Sequence, residues 1–500
     1  MADDRHIPTI MATQHPDSAS RYVPVQEEVE EAINYFLDGW AEGLNYDEYK
    51  VDYEGKLTPY HQVSQIVLRA VEVGLKPGVD VFITPRMPSA TEETVFRQAM
   101  AMMAAIEANY LTQDLLDHPA VIEIIHPLTR SAEDLVKAFR RLASLINWAR
   151  SDLGARLNPE DMRIIPLFED IDSLLNADRI VEVFVEKSIT RDYLRVFLGR
   201  SDPAMSSGLI ASALAVKIAI SRLNKLHIKI DLPIYPILGV GSLPFRGHLT
   251  PKNGENVVKE YPGIRTITIQ SALRYDYSHS EVTKLISFLK HTLPQHRPLR
   301  FSSSEEEMLE HILRKAASHY RELVSRLSGI VNRVAEFIPE QRDRLPPSGA
   351  LHYHRALTEG KLTLPRVIKL TAAFYTIGLP PEFIGTGRTL KALSPEEKKV
   401  LLEAYPSLRL DLERAARFLD LEGAKRFIGE ENTKLVERDI QYAEEALGIS
   451  LLDKLDEEYA QHLSLAQQYL SIILHKPSEG ILKDAKRIFL KLGVLRGGLG

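Results

Sequence analysis

The sequence predicts an α/β fold: a (β/α)8 barrel of the TIM type with a large additional α-helical C-terminal region. Three observations lead to this prediction. Eight short runs of apolar and β-branched residues recur within residues 1–297, and most of them are followed by a longer stretch with helical periodicity. Residues 298–500 show amphipathic helical patterns instead, so we expect them to form a second region that packs on the barrel.

The predicted strands lie at 7–13, 48–52, 79–84, 121–125, 163–168, 194–198, 234–238 and 264–269. Eight βα units are the number that closes a barrel of this type, which usually takes about 250 residues. An open, doubly wound parallel sheet shares the same local pattern and is the alternative architecture. We expect the closed barrel because the number of units matches it.

Residues that favour helix N-caps mark the start of several helices between these strands. Ser89 or Thr91 is expected to begin the helix of the third unit, Ser131 that of the fourth, and the pair 206–207 that of the sixth. After Pro298 the patterns predict helices alone, so we expect 298–500 to be wholly helical and to contribute to oligomerisation and to the site.

Composition excludes several classes of function. The 500 residues carry a formal net charge of -6, which gives no basic excess for binding nucleic acid or an anionic membrane. There is no cysteine, so disulfides, thiolate metal sites and a thiol nucleophile are excluded. Neither a secretory signal nor a membrane-spanning stretch is evident, and we expect a cytoplasmic protein.

Catalytic groups of such barrels come from the loops at the carboxyl ends of the strands, which converge on one cavity. Polar or charged residues follow every predicted strand here. The candidates are His15, Arg86, His126, Glu169, Arg200, Asp202, Arg246 and Arg274, with Arg265 at the start of the eighth strand. Each one alone is more simply a solvated loop residue, and Glu169 and Asp202 are also suited to cap the helices that follow them. The set as a whole is more informative.

The residue types in this set indicate a class of chemistry. Carboxylates in a chain without cysteine favour Mg²⁺ or Mn²⁺, with Glu169 and Asp202 as metal ligands. Arginines bind phosphate or carboxylate bidentately, so a small phosphorylated acid chelated to the metal is the natural ligand. The run GVGSLPFRGH at 239–248 suits either close approach of the backbone to an anion, at Gly241, or a tight turn.

Six phrases, in this order, resemble those of a known family. They are MATQHPD at 11–17, PLFEDIDSL at 166–174, FLGRSDPAM at 197–205, GVGSLPFRGH at 239–248, RTITIQSALR at 265–274 and RGGLG at 496–500. In this combination they are highly specific, and across all 500 residues the chain resembles phosphoenolpyruvate carboxylase of the short type found mainly in archaea. The longer bacterial and plant carboxylases look like more distant relatives.

Residue by residue, the resemblance implies three roles. His15 is the general base that handles the proton of carboxyphosphate, Glu169 and Asp202 bind Mg²⁺ or Mn²⁺, and Arg246 is the second arginine of a Gly-Arg loop. Three further active-site arginines are matched less closely, at Arg86, Arg265 and Arg274.

Two positions depart from the longer carboxylases. Val240 stands where they have the first arginine of that loop, and Met205 stands where they have a lysine. Arg200, on the other side of Asp202, is our candidate to restore the missing charge and to bind substrate.

The resemblance implies irreversible carboxylation of phosphoenolpyruvate by bicarbonate, through carboxyphosphate and an enolate, to oxaloacetate and phosphate. This reaction replenishes C4 acids, and the family is homotetrameric. The residue types alone also fit a metal-dependent carbon–carbon lyase or aldolase acting on a keto acid, because such an enzyme too needs a divalent ion, arginines and an enolate. Release of phosphate distinguishes the carboxylase from this alternative. A non-catalytic scaffold is disfavoured because His15, Glu169 and Asp202 are all present.

Overall fold

The computed structural model describes residues 6–14, 16, 23–37, 43–188, 192–295, 297–339, 355–356, 363–451, 457–474 and 479–500. Within them, eight parallel strands form one closed barrel in chain order. The strands are β1 (Ile10–Thr13), β2 (Glu48–Asp52), β3 (Phe82–Arg86), β4 (Glu123–His126), β5 (Arg163–Phe168), β6 (Leu194–Gly199), β7 (Ile234–Gly239) and β8 (Thr266–Ile269). β1 pairs with β2 on one side and with β8 on the other, so the (β/α)8 barrel is confirmed and the open sheet is excluded.

The strands β2 and β5 have the predicted limits, four strands differ at one end, and two strands are shifted along the chain. β3 and β4 both begin and end later in the chain than the predicted 79–84 and 121–125. Val79 lies instead in a turn before β3. Apolar content predicts that a strand exists, but pairing with its neighbours sets its limits. Arg86 and His126 therefore lie inside strands, at their carboxyl ends.

The barrel interior is charged at its amino end and apolar beyond it. Arg195 of β6 forms ion pairs with Glu48 at 2.6 Å and Glu123 at 2.9 Å, and the three side chains are buried. The apolar cluster inside the barrel consists of Met11, Ile125, Ile165, Leu167, Phe197 and Ile237. Because alternate residues of a strand share a face, Lys50 and Asp52 point inwards like Glu48.

Helices cover the outside of the barrel. They are α1 (Glu28–Phe36), α2 (Gln62–Glu72), α3 (Val95–Thr112), α4 (Ala132–Leu153), α5 (Ile171–Leu175), α6 (Ala177–Lys187), α7 (Ser201–Ser207), α8 (Leu209–Ile230), α9 (Gly254–Glu260), α10 (Ser271–Tyr275) and α11 (His279–Thr292). The later helices are α12 (Ser303–Ala335), α13 (Val367–Thr376), α14 (Thr386–Ala392), α15 (Pro395–Ala404), α16 (Leu408–Ala416), α17 (Leu421–Leu447), α18 (Glu457–Leu474) and α19 (Glu479–Arg496).

The predicted helix starts are right in one case out of three. Ser131 caps α4, and its hydroxyl oxygen accepts a backbone N–H bond of 3.2 Å. The cap of α3 is Thr94, not Ser89 or Thr91, which lie earlier in the loop. A run of polar residues before a helix offers several caps, and the packing of the helix selects one of them.

The third start, at residues 206–207, is also wrong, because these serines end α7. Gly208 joins α7 to α8 with a φ of +85°, a conformation that favours glycine. A Cβ atom at this position would lie 2.8 Å from the ring of Tyr320 on α12. The break between the helices therefore depends on a distant part of the chain.

The C-terminal region is not wholly helical. It contains a short antiparallel pair, β9 (Arg355–Ala356) and β10 (Thr363–Leu364). The long helix α12 attaches the region to the barrel, since the Tyr320 hydroxyl donates to the Met205 carbonyl at 3.0 Å and the Ser221 hydroxyl donates to Glu306 at 2.8 Å. Among the helices of the described residues, none is long and apolar enough to cross a bilayer.

Candidate active site

The carboxyl ends of β2, β3 and β5 bring a group of charged side chains together. Arg86 makes a bidentate ion pair with Asp52, with bonds of 2.8 and 2.6 Å. Its other terminal nitrogen lies 2.7 Å from Glu54 and 3.8 Å from Glu169. Arg86 and Glu169, both predicted to belong to the site, are therefore neighbours at the mouth of the barrel.

The charges of this group reinforce one another. Burial alone would raise the pKa of Asp52, but the positive charges of Arg86, Lys56 and Lys50 outweigh it and hold that pKa well below its usual value. The pKa of Arg86 is likewise raised well above its usual value, because Asp52, Glu54 and Glu169 more than offset its burial. At neutral pH both side chains are ionised.

Glu169 is a buried carboxylate just beyond β5. One of its oxygens accepts the backbone N–H of Leu128 at 3.2 Å. Gly199, at the end of β6, lies directly alongside, and a Cβ atom there would be 3.4 Å from Glu169 Cγ and 3.2 Å from the Phe168 carbonyl oxygen. The glycine thus leaves room for the Glu169 side chain between the two strands.

Glu169 does not cap the helix that follows it. The N-cap of α5 is Asp170, which accepts the Ser173 N–H at 2.8 Å. Asp202 lies in the first turn of α7, three residues after Gly199, and therefore at the same end of the barrel as Glu169. These positions suit a pair of ligands contributed by adjacent strands.

Arg246 lies in the loop after β7 and is held from three directions. Its Nε donates to the Ser201 hydroxyl at 3.3 Å, one terminal nitrogen donates to Gln270, and the other donates to the carbonyl oxygen of Gly500. Burial lowers the pKa of Arg246 to about 10, against the opposing attraction of Asp202. The guanidinium is therefore charged at neutral pH and fixed at the mouth.

Gly241 is close to the site but not in the manner expected from the sequence. Its N–H donates to the Arg246 carbonyl at 2.8 Å, so this amide is not directed at an anion. A Cβ atom at Gly241 would lie 2.9 Å from Arg246 Cζ. The glycine makes room for the Arg246 side chain. Val240 is buried, and a Cβ atom added to Gly247 would lie 2.5 Å from Val240 Cγ1.

Arg200 is directed into the protein and away from the mouth. Its guanidinium donates to the Tyr261 hydroxyl at 3.1 Å, to the Ser212 hydroxyl, and to two carbonyl oxygens in α8 and the β7 loop. Met205 lies in the hydrophobic core. The structure therefore does not bring Arg200 into the place of the missing lysine, because its hydrogen bonds attach the loop after β6 to α8 and to Tyr261, the residue after α9.

Arg265 lies at the opposite end of the barrel from Arg86 and Glu169. Arg265 precedes β8, at the amino end of the barrel, and the charged groups acting on it include Asp47 and Arg195. A residue before a parallel strand lies at the opposite end from the catalytic loops. The position of Arg265 before its strand in the sequence already indicates that it lies at the amino end of the barrel.

Arg274 is enclosed by aromatic rings beside α1. Its guanidinium carbon is 5.2 Å from the ring centre of Tyr35 and 5.3 Å from that of Tyr275, and Glu31 lies 3.9 Å away. These neighbours hold a buried cation by cation–π contacts and charge. The structure thus gives Arg274 a place in the packing between α10 and α1.

His15 lies outside the described residues. Gln14 before it is bonded to β2, since its N–H donates to the Lys50 carbonyl at 3.0 Å and its side chain accepts the Asp52 N–H at 2.9 Å. The chain therefore reaches the mouth just before His15. His126 is buried, which lowers its pKa to about 4, so its imidazole is neutral at physiological pH.

Lys50 is a mouth residue that was not among the candidates. It lies on the inner face of β2, and burial lowers its pKa to about 8, with Arg86 contributing in the same direction. The alternation Glu48, Lys50, Asp52 along β2 was the available signal, because it places three charged residues on one face of a barrel strand.

The residues at the mouth suit a divalent metal. Among the described residues no cluster of three or more histidine or acidic side chains is arranged to hold an ion. Mg²⁺ is typically bound by one or two carboxylates and keeps waters or substrate oxygens as its other ligands. Glu169 and Asp202, oxygen donors from adjacent strands, fit that requirement.

A large cavity of about 990 Å³ lies at the other end of the barrel. Its walls include His6, Asp47, Arg163 and Lys290, at the amino ends of the strands. Since Arg86, Glu169 and Arg246 all lie at the carboxyl ends, the cavity is separate from the candidate site.

Known proteins resemble the chain over nearly its whole length. A family profile described as phosphoenolpyruvate carboxylase matches residues 7–500. A protein named phosphoenolpyruvate carboxylase from Methanosarcina acetivorans is 41% identical over 88% of this chain and 89% of its own length. Proteins of the same name from Methanopyrus kandleri and Oenococcus oeni are 36% identical over 99% of both chains, and 32% identical over 94% of this chain and 95% of the relative.

Proposed function

Since the chain belongs to the phosphoenolpyruvate carboxylase family, a family of carboxy-lyases, we propose that the mouth of its barrel joins phosphoenolpyruvate to bicarbonate, giving oxaloacetate and phosphate. The observation that supports this proposal is the presence of two charged pairs at that end of the barrel, Arg86 with Glu169 and Arg246 with Asp202. The relatives are named as carboxylases, and no finding favours a lyase or aldolase acting on a keto acid.

We propose that Glu169 and Asp202 hold Mg²⁺ or Mn²⁺. The ion would supply positive charge for the phosphoryl oxygens and for the oxygen of the enolate. The buried position of Glu169, its bond from the Leu128 N–H and the space left by Gly199 support this role, because they orient one carboxylate before any ion binds.

Arg246 is our proposed ligand for the phosphoryl group. Three of its five N–H groups are engaged by Ser201, Gln270 and Gly500, which fixes the plane of the guanidinium and leaves donors for substrate oxygens. Arg86 acts differently. Its bonds to Asp52 and Glu54 make it a positioning residue that neutralises the carboxylates beside Glu169.

The reaction then follows from these groups. A bicarbonate oxygen attacks phosphorus, the bond between phosphorus and the enol oxygen breaks, and carboxyphosphate and pyruvate enolate result. His15 takes the carboxyl proton of carboxyphosphate, which separates into CO2 and phosphate. The methylene carbon of the enolate then bonds to CO2 to form oxaloacetate. Exclusion of water is required, since protonation of the enolate would give pyruvate.

The remaining proposals concern the assembly and its setting. We propose a cytoplasmic homotetramer that fixes inorganic carbon and replenishes C4 acids. Membership of the family supports these proposals, and the mass of the protein in solution, measured by light scattering, tests the oligomer.

A coupled assay tests the function directly. Purified protein is supplied with phosphoenolpyruvate, bicarbonate and Mg²⁺, and oxaloacetate is detected by its reduction with NADH and malate dehydrogenase while phosphate is measured separately. We expect equal amounts of both products, and none when bicarbonate or the metal is omitted. Pyruvate without phosphate, or product without bicarbonate, would contradict the proposal.

A further inference from the structure

Lys50 is a buried cation at the mouth of the barrel whose charge is not neutralised by a direct contact. Its exposed fraction is 8%. Within the part of the chain that the structure describes, no side chain forms an ion pair or hydrogen bond with its ammonium group. The neighbouring cations differ, since Arg86 is bound by Asp52 and Glu54, and Lys56 lies 3.5 Å from Asp52.

The side chain of Lys50 points into the barrel and towards the mouth. It shares the inner face of β2 with Glu48, which is bound to Arg195 at the amino end, and with Asp52, which is bound to Arg86 at the carboxyl end. The charged groups that act on Lys50 are Arg86, Asp52, Lys56 and Glu169, all at the mouth. Its ammonium group therefore lies on the mouth side of the barrel interior, within electrostatic reach of the predicted metal ligand Glu169.

A cation in this position has an energetic cost. Burial of an ammonium group without a direct counter-charge is unfavourable, and a methionine or leucine on the inner face of β2 would be buried at lower cost. A site that binds anions is expected to contain a cation without a negative partner, as Lys50 is among the described residues.

We propose that Lys50 is a further substrate-binding residue, whose ammonium group contacts a substrate oxyanion beside Glu169. The oxyanion belongs either to the phosphoryl group of phosphoenolpyruvate or to bicarbonate. This inference rests on the proposed function, because both anions are its substrates.

The geometry around β6 supports the assignment. Met205, at the position of the lysine in the longer carboxylases, is 2% exposed and lies in the core. Arg200 is occupied by the Tyr261 and Ser212 hydroxyls. Lys50 thus brings to the mouth, from β2, a cation that neither Met205 nor Arg200 supplies from the loop after β6.

The experiment compares Lys50→Met and Lys50→Arg with the unchanged protein. Lys290→Met is the matched control, since it removes one lysine that pairs with Asp47 at the amino end of the barrel. For each protein, kcat and the KM of both substrates are measured, together with Tm in the presence and absence of inorganic phosphate.

We expect Lys50→Met to lower kcat/KM for at least one substrate about 100-fold. Its Tm without ligand should equal or exceed that of the unchanged protein, and stabilisation by phosphate should be reduced. Lys50→Arg, which retains the charge, should recover part of the activity. A rise in KM for phosphoenolpyruvate identifies the phosphoryl group as the partner, and a rise in KM for bicarbonate identifies bicarbonate. Lys290→Met should leave kcat, both KM values and the stabilisation by phosphate unchanged.

Normal kinetics in Lys50→Met would overturn the inference, and so would a lower Tm with unchanged KM values, which indicates a structural role. If Lys50→Met does not fold, the kinetics of Lys50→Arg test the inference instead. Unaltered kcat and KM values in that folded variant would reject a geometrically specific contact between Lys50 and the substrate. Failure of the proposed function looks different, since the unchanged protein would then form no bicarbonate-dependent oxaloacetate.

Discussion

The guanidinium of Arg246 donates a hydrogen bond to the carbonyl oxygen of Gly500, so residues 496–500 meet the loop after β7 at the mouth of the barrel. Two segments separated by more than half of the chain therefore position one arginine. Because small displacements of a substrate-binding group reduce turnover strongly, substitutions at either segment should be detectable in the kinetics.

Gly500→Ala tests this contact. A Cβ atom there would collide with the backbone carbonyl of Ile368 on α13 and displace the segment, and we expect kcat/KM for phosphoenolpyruvate to fall about 10- to 100-fold. Gly480→Ala is the control, since a Cβ at Gly480 meets nothing within 4 Å among the described residues. Equal kinetics for the two variants would argue against a role for Gly500.

Glu382→Gln should alter the pH dependence of stability. Glu382 lies behind the same loop and accepts the Phe245 N–H at 2.8 Å and the Tyr375 hydroxyl at 2.7 Å. Burial raises its pKa from 4.5 to about 7, although these bonds oppose the rise. The native state then holds the proton more tightly than the unfolded chain. Its contribution is therefore fully present below pH 4.5 and is lost as the pH rises through 7.

The expected size of this effect is about 3 kcal/mol between pH 4.5 and 8. Urea unfolding at several pH values measures it, and Glu382→Gln should show a flatter profile and greater stability at pH 8 than the unchanged protein. A variant with the same slope as the unchanged protein would assign the pH dependence to another group.

Arg265→Gln and Arg246→Gln should differ sharply in activity. Arg265 lies at the amino end of the barrel, so we expect its loss to leave kcat and both KM values within about twofold, as is usual for sites away from the chemistry. Arg246 lies at the mouth, and its loss should lower kcat/KM for phosphoenolpyruvate at least about 100-fold. A large loss of activity in Arg265→Gln would instead support the prediction from the sequence that Arg265 is an active-site residue.

Arg200→Met should act mainly on stability. The change leaves the Tyr261 and Ser212 hydroxyls and two carbonyl oxygens without their donor, at a cost of about 3 kcal/mol or more in the free energy of unfolding. The KM values of the folded fraction should change little. A rise in KM with unchanged unfolding would show instead that Arg200 binds substrate.

His15→Asn should remove the base while leaving the metal site intact. A positioned base contributes about 10²- to 10⁴-fold to the rate, so the rate of oxaloacetate formation should fall at least about 100-fold. Binding of Mn²⁺, followed by electron paramagnetic resonance, should be preserved. Turnover near that of the unchanged protein would exclude His15 as the base.

The sequence by itself determined the barrel and the end of it that carries the chemistry. Repetition of apolar runs and helical periods requires only local alternation, and the rule that parallel strands expose their carboxyl-end loops together then selects Glu169, Asp202 and Arg246. These selections depend on order along the chain, which the sequence contains.

Only the tertiary structure decided where the other cations point. Arg200 and Arg265 have the same chemistry as Arg246, but Arg200 is held by α8 and Tyr261, and Arg265 precedes its strand. Lys50 shows the converse, since a lysine within a short strand is unremarkable until closure of the barrel buries it within reach of the charges of Arg86 and Glu169. The physical reason is that the direction of a side chain and the charge around it depend on strand register and on contacts between distant segments, which no local pattern specifies.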